Sequence, residues 1–272
     1  MRGWKIKQTT ENINSIREPW LQGYFTNSHY NWDGKTWARK FTELRTRDLA
    51  VMALGDVNKR RVLDVGCGDG TYAFVLSELG AIVSGQDLGA KQIEIARSRT
   101  YGPDNTRLGH FICGNAENLM FEKNSFDCVF SADFFEHIDI ETKRNVLREI
   151  YRVLVPGGLL VIKTPNLDYL KITINLKRLL LLGKLKSPKV YIAHTNNNPN
   201  NEHHGLTNFD EMRDELEAAF FHTPKFHYQR LIREGLSCKI SDLLYSTNIK
   251  AFSEHLILST RKSVFVGVSD NL

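Results

Sequence analysis

The sequence predicts an α/β fold built on a doubly wound, mostly parallel seven-stranded sheet with helices on both faces. Three observations carry this. From residue 61 onward, short strand-like runs alternate with helix-period segments, the pattern of parallel strands joined by crossover helices. The first run, "VLDV", feeds directly into the spaced glycines of "GCGDG" at 66–70. The second run ends in an acid, Asp87, about twenty residues further on. With 272 residues, of which 42% are hydrophobic and 25% charged, the chain can bury one substantial core.

Residues 1–58 lack strand alternation and gather Trp20, Tyr24, Phe25, Tyr30, Trp32 and Trp37. They predict a helical N-terminal lid, followed by the main domain at 59–272. "RVLDV" predicts the first strand and "TYAFVLSEL" a helix closed by Gly80. "AIVSGQD" and "AKQIEIARSR" predict the next strand and helix, "LGHFICGNA" and "SFDCVFSAD" two more strands. In "ETKRNVLREIYRVL", Val146, Leu147, Ile150, Val153 and Leu154 fall on one helical face. The helix is expected to end at "VPGG", before the strand "LLVIKTPN". An insertion at about 168–206 carries a helix and the Asn-rich "HTNNNPNNEHHG", then "NFDEMRDELEAAF" resumes helix. "KFHYQRLI" and "SVFVGVS" are the expected last strands.

No apolar run approaches the roughly 20 residues of a spanning helix, and no apolar stretch follows the basic residues at the start. The expectation is a cytoplasmic chain, with contact at the inner face of a membrane as the exception. Cys67, Cys113, Cys128 and Cys238 show no CxxC spacing and predict reduced thiols. The net charge of +5 is too small to imply nucleic acid.

In an open parallel sheet, ligands sit beyond the carboxyl ends of the strands, where strand order reverses. Gly66, Gly68 and Gly70 occupy that place, and bare backbone admits a ligand closely. Asp87 is placed to accept two ribose hydroxyls, so an adenosine-containing ligand is expected. NAD fits poorly: its loop is G-x-G-x-x-G, and Asp64 before the first glycine would repel a pyrophosphate. Asp64 suits a ligand with an amino group, which points to S-adenosylmethionine.

"VLDVGCGDG", "GQD", "CGNAENLMF", "FDCVFSADFFEHI" and "LREIYRVLVPGGLLVIKTPN" resemble, in order, the motifs of class I S-adenosylmethionine-dependent methyltransferases of the type 11, O-methyltransferase kind. The resemblance runs from about 61 to 166, with a weaker echo to 232, and implies a Rossmann-like fold. It implies that the 66–70 loop, Cys67 included, lies on the methionine part of the cofactor and that Asp64 reaches its ammonium. Asp87 would take the ribose and Leu88 pack on the adenine. Asn115-Ala116 stand where the family has Asp-Ala; the Asn carbonyl can still accept from the adenine amino group. Ser131 would lend backbone to the cofactor wall. Trp32-Asp33-Gly34 with Arg47 resembles the lead of quinone-type O-methyltransferases, which implies that Arg47 meets the cofactor carboxylate.

Methyl transfer needs alignment, and a hydroxyl nucleophile also benefits from a base. His137, in "FFEHI" past the fourth strand, is the first candidate, with packing of the next helix as its structural role. His203 and His204, in "HHGLTNFDEM", hold the place of a segment that lines the acceptor pocket in relatives. His194, Glu202, His203 and His204 could be read as a metal site, but adjacent histidines rarely face one ion, so no metal is expected.

Between Tyr169 and Asn201 stand Lys171, Lys177, Arg178, Lys184, Lys186 and Lys189, with no acid. Within "DYLKITINLKRLLLL", Asp168, Lys171, Asn175 and Arg178 share one helical stripe. A core helix with a solvated face and a membrane-surface helix at 168–190 both fit. A lipid-anchored substrate would suit the second, and the family resemblance extends to enzymes acting on cell-surface saccharides and lipid-linked intermediates, which implies a saccharide or lipid-linked glycan precursor as the acceptor. Alternatives are a quinone or other small molecule and, in another class, a non-catalytic adenosine-binding module. "SADF" stands where amino-adenine methyltransferases carry an Asn/Asp-Pro-Pro-aromatic run, so no nucleic-acid partner is expected.

Overall fold

The computed structural model describes residues 49–99, 109–184, 203–227 and 249–264. Its elements are β1 (Arg61–Val65), α1 (Thr71–Glu78), β2 (Ile82–Asp87), α2 (Ala90–Arg99), β3 (Gly109–Cys113), β4 (Phe126–Ala132), α3 (Ile140–Val153), β5 (Leu154–Pro165), α4 (Leu167–Gly183), α5 (Phe209–Ala218), β6 (Lys225–Phe226) and β7 (His255–Arg261). They form one seven-stranded sheet in the order β3-β2-β1-β4-β5-β7-β6. The pairs among β1 to β5 are parallel, and β7 runs antiparallel between β5 and β6. The expected α/β doubly wound sheet is present, with its order reversing between β1 and β4.

Side-chain alternation divides the core into two layers. Leu63, Val65, Val129, Leu160, Ile162, Leu256 and Leu258 meet Val146, Leu147 and Ile150 of α3 and Met212 and Leu216 of α5. On the other face Val62, Val83, Phe130, Val161 and Ile257 meet Ala73 and Leu76 of α1 and Ile93 and Ala96 of α2. Ala50, Val51, Leu54 and Val57, at the end of the N-terminal lead, join this second layer. The helix α3 starts where the Asp139 side chain accepts the Thr142 N–H at 2.8 Å. The same alternation puts Asp64, Lys163 and His255 on the α1 side.

Three expectations shift. The last strand is "HLILSTR" at 255–261, not "SVFVGVS"; Ser263 and Val264 follow it outside the strand, and 265–269 lie outside the described residues. Three successive buried residues, Leu256 to Ile257 to Leu258, carry no alternation because both faces of β7 are covered. β6 is two residues long where eight were expected, with 228–232 outside the described set. β5 begins at Leu154, because Pro156 to Gly158 continue the strand beyond an irregular register with β4.

Candidate active site

The site lies at the carboxyl ends of β1, β2, β4 and β5. Each glycine of the loop has its own reason. A Cβ on Gly66 (φ 71°) would sit 2.6 Å from the Phe134 ring, so the loop turns tightly beneath that side chain. A Cβ on Gly68 would meet nothing within 4 Å: this backbone faces open space. Gly70 caps α1 in the left-handed region, against Ala96 of α2. The Cys67 sulfur is buried behind Gly85, and burial pushes its thiol pKa up.

Two carboxylates flank the loop. Asp87 accepts the Gly68 N–H at 2.9 Å through one oxygen and the Gly89 N–H at 2.7 Å through the other, which stitches the two loops together. Asp64 is 2% exposed, and its Oδ2 has no hydrogen-bond partner. Burial, then Asp87, pushes its pKa up to about 8. A buried carboxylate with one unpartnered oxygen beside open backbone fits a ligand that brings a cation, as the S-adenosylmethionine ammonium would.

Beyond β2 and β3 stand the exposed side chains of Leu88, Cys113 and Met120, apolar surface of the kind an adenine covers. Asn115 is exposed there, but its Oδ1 accepts the Glu117 N–H at 2.9 Å, so the carbonyl is already engaged in a turn. Ala116 faces the core, and buried Ser131 donates to the Val65 carbonyl at 2.9 Å, joining β4 to β1. The sequence reading passed over Gln86. It is fully buried, donates to the carbonyls of Asn115 and Asn118, and accepts the Met120 N–H, so it holds this edge in place. A polar residue inside an apolar strand was its signal. Arg47 lies outside the described residues.

His137 closes a 3₁₀ turn (Phe135–His137) after β4. Its ring stands 4.7 Å from that of His203, edge to face. Gly205 makes this meeting possible: a Cβ there would lie 1.8 Å from the Ile138 carbonyl oxygen, and its N–H donates to the Glu136 carbonyl at 2.8 Å. His204 points elsewhere, into a cleft with Lys143 and Glu211 between α3 and α5, so the two adjacent histidines part company. Ligand atoms of Glu136, His137 and His203 all lie within 4.8 Å of one another, a different set from the His194, Glu202, His203 and His204 group weighed from sequence. His194 and Glu202 lie outside the described residues. Glu136 is buried and accepts from Thr164 Oγ1 at 2.9 Å; burial, then Asp133, raises its pKa.

A second polar group was not foreseen. Asp133, at φ 54°, turns the chain at the end of β4 and is gripped by Lys163 of β5, 2.6 Å from Oδ1. Burial works against the Lys163 ammonium, but Tyr72 and Asp133 outweigh it and its pKa ends above the usual lysine value. His255, beside them at the start of β7, is pushed down to about 3 by burial and then by Lys163, so it stays neutral.

The fold and this loop define an S-adenosylmethionine-dependent methyltransferase architecture. Residues 63–162 match the family described as "Methyltransferase domain". The chain is 35% identical over 130 residues to O-methyltransferase rstn1 of Aspergillus nomiae, covering 47% of this chain and 56% of that protein. It is 34% identical over 117 residues to the ubiquinone biosynthesis O-methyltransferase of Xanthomonas oryzae pv. oryzae, covering 43% and 47%. The alignments thus span about half the length of these curated relatives. A solved S-adenosylmethionine-dependent methyltransferase from Archaeoglobus fulgidus has the same fold, at TM-score 0.56 and 18% identity over 81% of this chain and 94% of that one. Residues 63–162 therefore match a methyltransferase domain, in a fold shared with solved S-adenosylmethionine-dependent methyltransferases.

Proposed function

We propose that the protein methylates a hydroxyl group of a small acceptor, with S-adenosylmethionine as donor. The observation that carries this is the pairing of a buried carboxylate with an unpartnered oxygen, Asp64, with the open backbone at Gly68 and the Asp87 carboxylate across the loop. Asp64 would hold the ammonium, Asp87 the ribose hydroxyls, and the surface of Leu88 and Met120 the adenine. Bound there, the donor supplies an electrophilic methyl group. The chain's contribution is alignment, worth up to ~7–11 kcal/mol when complete. His137 and His203 are the proposed proton acceptors for the hydroxyl, being paired at the end of β4. His204 lines a separate cleft between α3 and α5, which favours His203 over it in that role.

The names of the relatives support oxygen as the atom methylated, and one of them supports a quinone-type acceptor over the saccharide or lipid-linked glycan expected from sequence. The test is incubation with methyl-labelled donor and separate pools of phenolic quinone precursors and lipid-linked saccharides. Label in the phenolic pool supports the quinone-type reading, and label in the saccharide pool supports the glycan. No label in either, with the adenosine ligand still bound, favours the non-catalytic module.

A further inference from the structure

The helix α4 has two apolar faces. At about 100° per residue, Leu170, Ile174 and Leu181 share one face, and Ile172, Leu176, Leu179 and Leu180 share the opposite one. The first face is the docked one: Ile174 is buried, and Leu170 and Leu181 are half-buried. Its start is pinned by Asn166, whose Nδ2 donates to the Lys250 and Ser253 carbonyls at 2.9 and 2.8 Å. The second face points away from the described residues. Leu176, Leu179 and Leu180 are 55%, 66% and 57% exposed. Lys171 and Arg178 border this outer stripe on one side, Lys177 and Lys184 on the other, and all four are exposed. No acid stands between Tyr169 and Lys184.

This arrangement departs from the core-helix reading and favours the membrane-surface one. A core helix would bury the outer leucines, and a solvated face would be polar where they stand. An apolar stripe turned outward between two basic borders suits a helix lying in the boundary of a lipid surface. Spanning is not the alternative: no helix among the described residues is long and apolar enough to cross a membrane.

We propose that α4 docks on an anionic bilayer surface, with its leucine stripe in the headgroup boundary and its basic borders against lipid phosphates. α4 begins at the carboxyl end of β5, the edge of the sheet that carries the glycine loop. A bilayer held through α4 therefore lies at the active-site end of the molecule, where a lipid-borne acceptor would be within reach. The docking itself stands independently of the methyl-transfer reading.

The test is co-sedimentation of the full chain with vesicles of phosphatidylcholine alone and of phosphatidylcholine with one third phosphatidylglycerol. Binding is expected to the anionic vesicles and to weaken as salt shortens the reach of charge. A Leu176→Ser/Leu179→Ser variant and a Lys177→Glu/Arg178→Glu variant should each lower partitioning roughly tenfold or more. Melting temperature and S-adenosylhomocysteine affinity should stay unchanged. The charge-reversal pair keeps the test decisive should the serine pair unfold. Failure of the unmodified chain to sediment with anionic vesicles at low salt overturns the proposal. So does undiminished binding by the charge-reversal variant. Light scattering that shows a dimer split by the serine pair, with no vesicle binding, would assign the leucine face to a second copy instead.

Discussion

Alanine at Gly66 and at Gly68 should separate folding from ligand binding. Both positions lie in the left-handed region, at φ 71° and 51°, where a side chain costs about 1–2 kcal/mol. At Gly66 the new methyl would also press on the Phe134 ring from 2.6 Å, and overpacking of this kind adds about 1–3 kcal/mol. At Gly68 it would meet no protein atom within 4 Å. Gly68→Ala should therefore lose about 1–2 kcal/mol of unfolding free energy and Gly66→Ala about 2–5, against a typical total of roughly 5–15. Urea titration reads both losses. The Gly68→Ala protein stays folded, yet its methyl occupies the space left for the ligand, so calorimetry should show S-adenosylhomocysteine affinity reduced by roughly tenfold or more. Native affinity in that variant would refute the placement of the ligand on this backbone. A larger stability loss at Gly68 than at Gly66 would refute the packing argument.

Asp64 sets a pH signature. Its folded pKa of about 8 lies above the ordinary value, so the free protein binds the extra proton and loses stability from this group as pH rises from about 4 toward 8. A bound ammonium should hold the carboxylate ionised, so S-adenosylhomocysteine binding at pH 7 should release a proton and weaken as pH falls. Calorimetry in buffers of different ionisation enthalpy measures that proton, and buffer-independent heats would contradict the assignment. His137→Ala and His203→Ala should each lower kcat at saturating acceptor by about 10²–10⁴, the usual worth of a general base, with donor affinity unchanged. Full turnover in both variants would place proton removal elsewhere. Chelation should leave turnover intact, because the proton-acceptor role proposed for His137 and His203 needs no ion; loss on chelation with rescue by magnesium or manganese would give Glu136, His137 and His203 a metal. Leu147→Ala, fully buried between α3 and the sheet, should cost about 2–5 kcal/mol in urea titration without changing ligand affinity in the folded protein.

The sequence was most legible where one residue type can do one job. Three glycines at the end of a strand, and an acid at the end of the next, marked the candidate ligand loop because backbone approach and paired carboxylate oxygens leave few substitutes. The helix α3 was equally plain, since Leu147 and Ile150 repeat at helical period over a polar opposite face. Less was legible where position depends on distant chain. Nothing local in "HHG" says that Gly205 must press on the Ile138 carbonyl, and that contact is what sends His203 toward His137 and His204 away. Lys163 read as one lysine in an apolar strand; its grip on Asp133 exists only because β4 and β5 are neighbours. β7 was missed because a strand buried on both faces shows no alternation. The leucines of α4 read equally well as core, and only the packed sheet shows which face is left outside.

The central claim is that the 66–70 loop, Asp64 and Asp87 hold S-adenosylmethionine. The most direct measurement is calorimetric titration of the protein with S-adenosylhomocysteine and with NAD, repeated on Asp87→Ala. The account predicts one site per chain for S-adenosylhomocysteine, no measurable binding of NAD, and an affinity loss on the order of 1.5–3 kcal/mol in the variant, the range for hydrogen bonds to a charged group. Binding of NAD in preference to S-adenosylhomocysteine, or an Asp87→Ala protein that binds S-adenosylhomocysteine as tightly as the native chain, would contradict it.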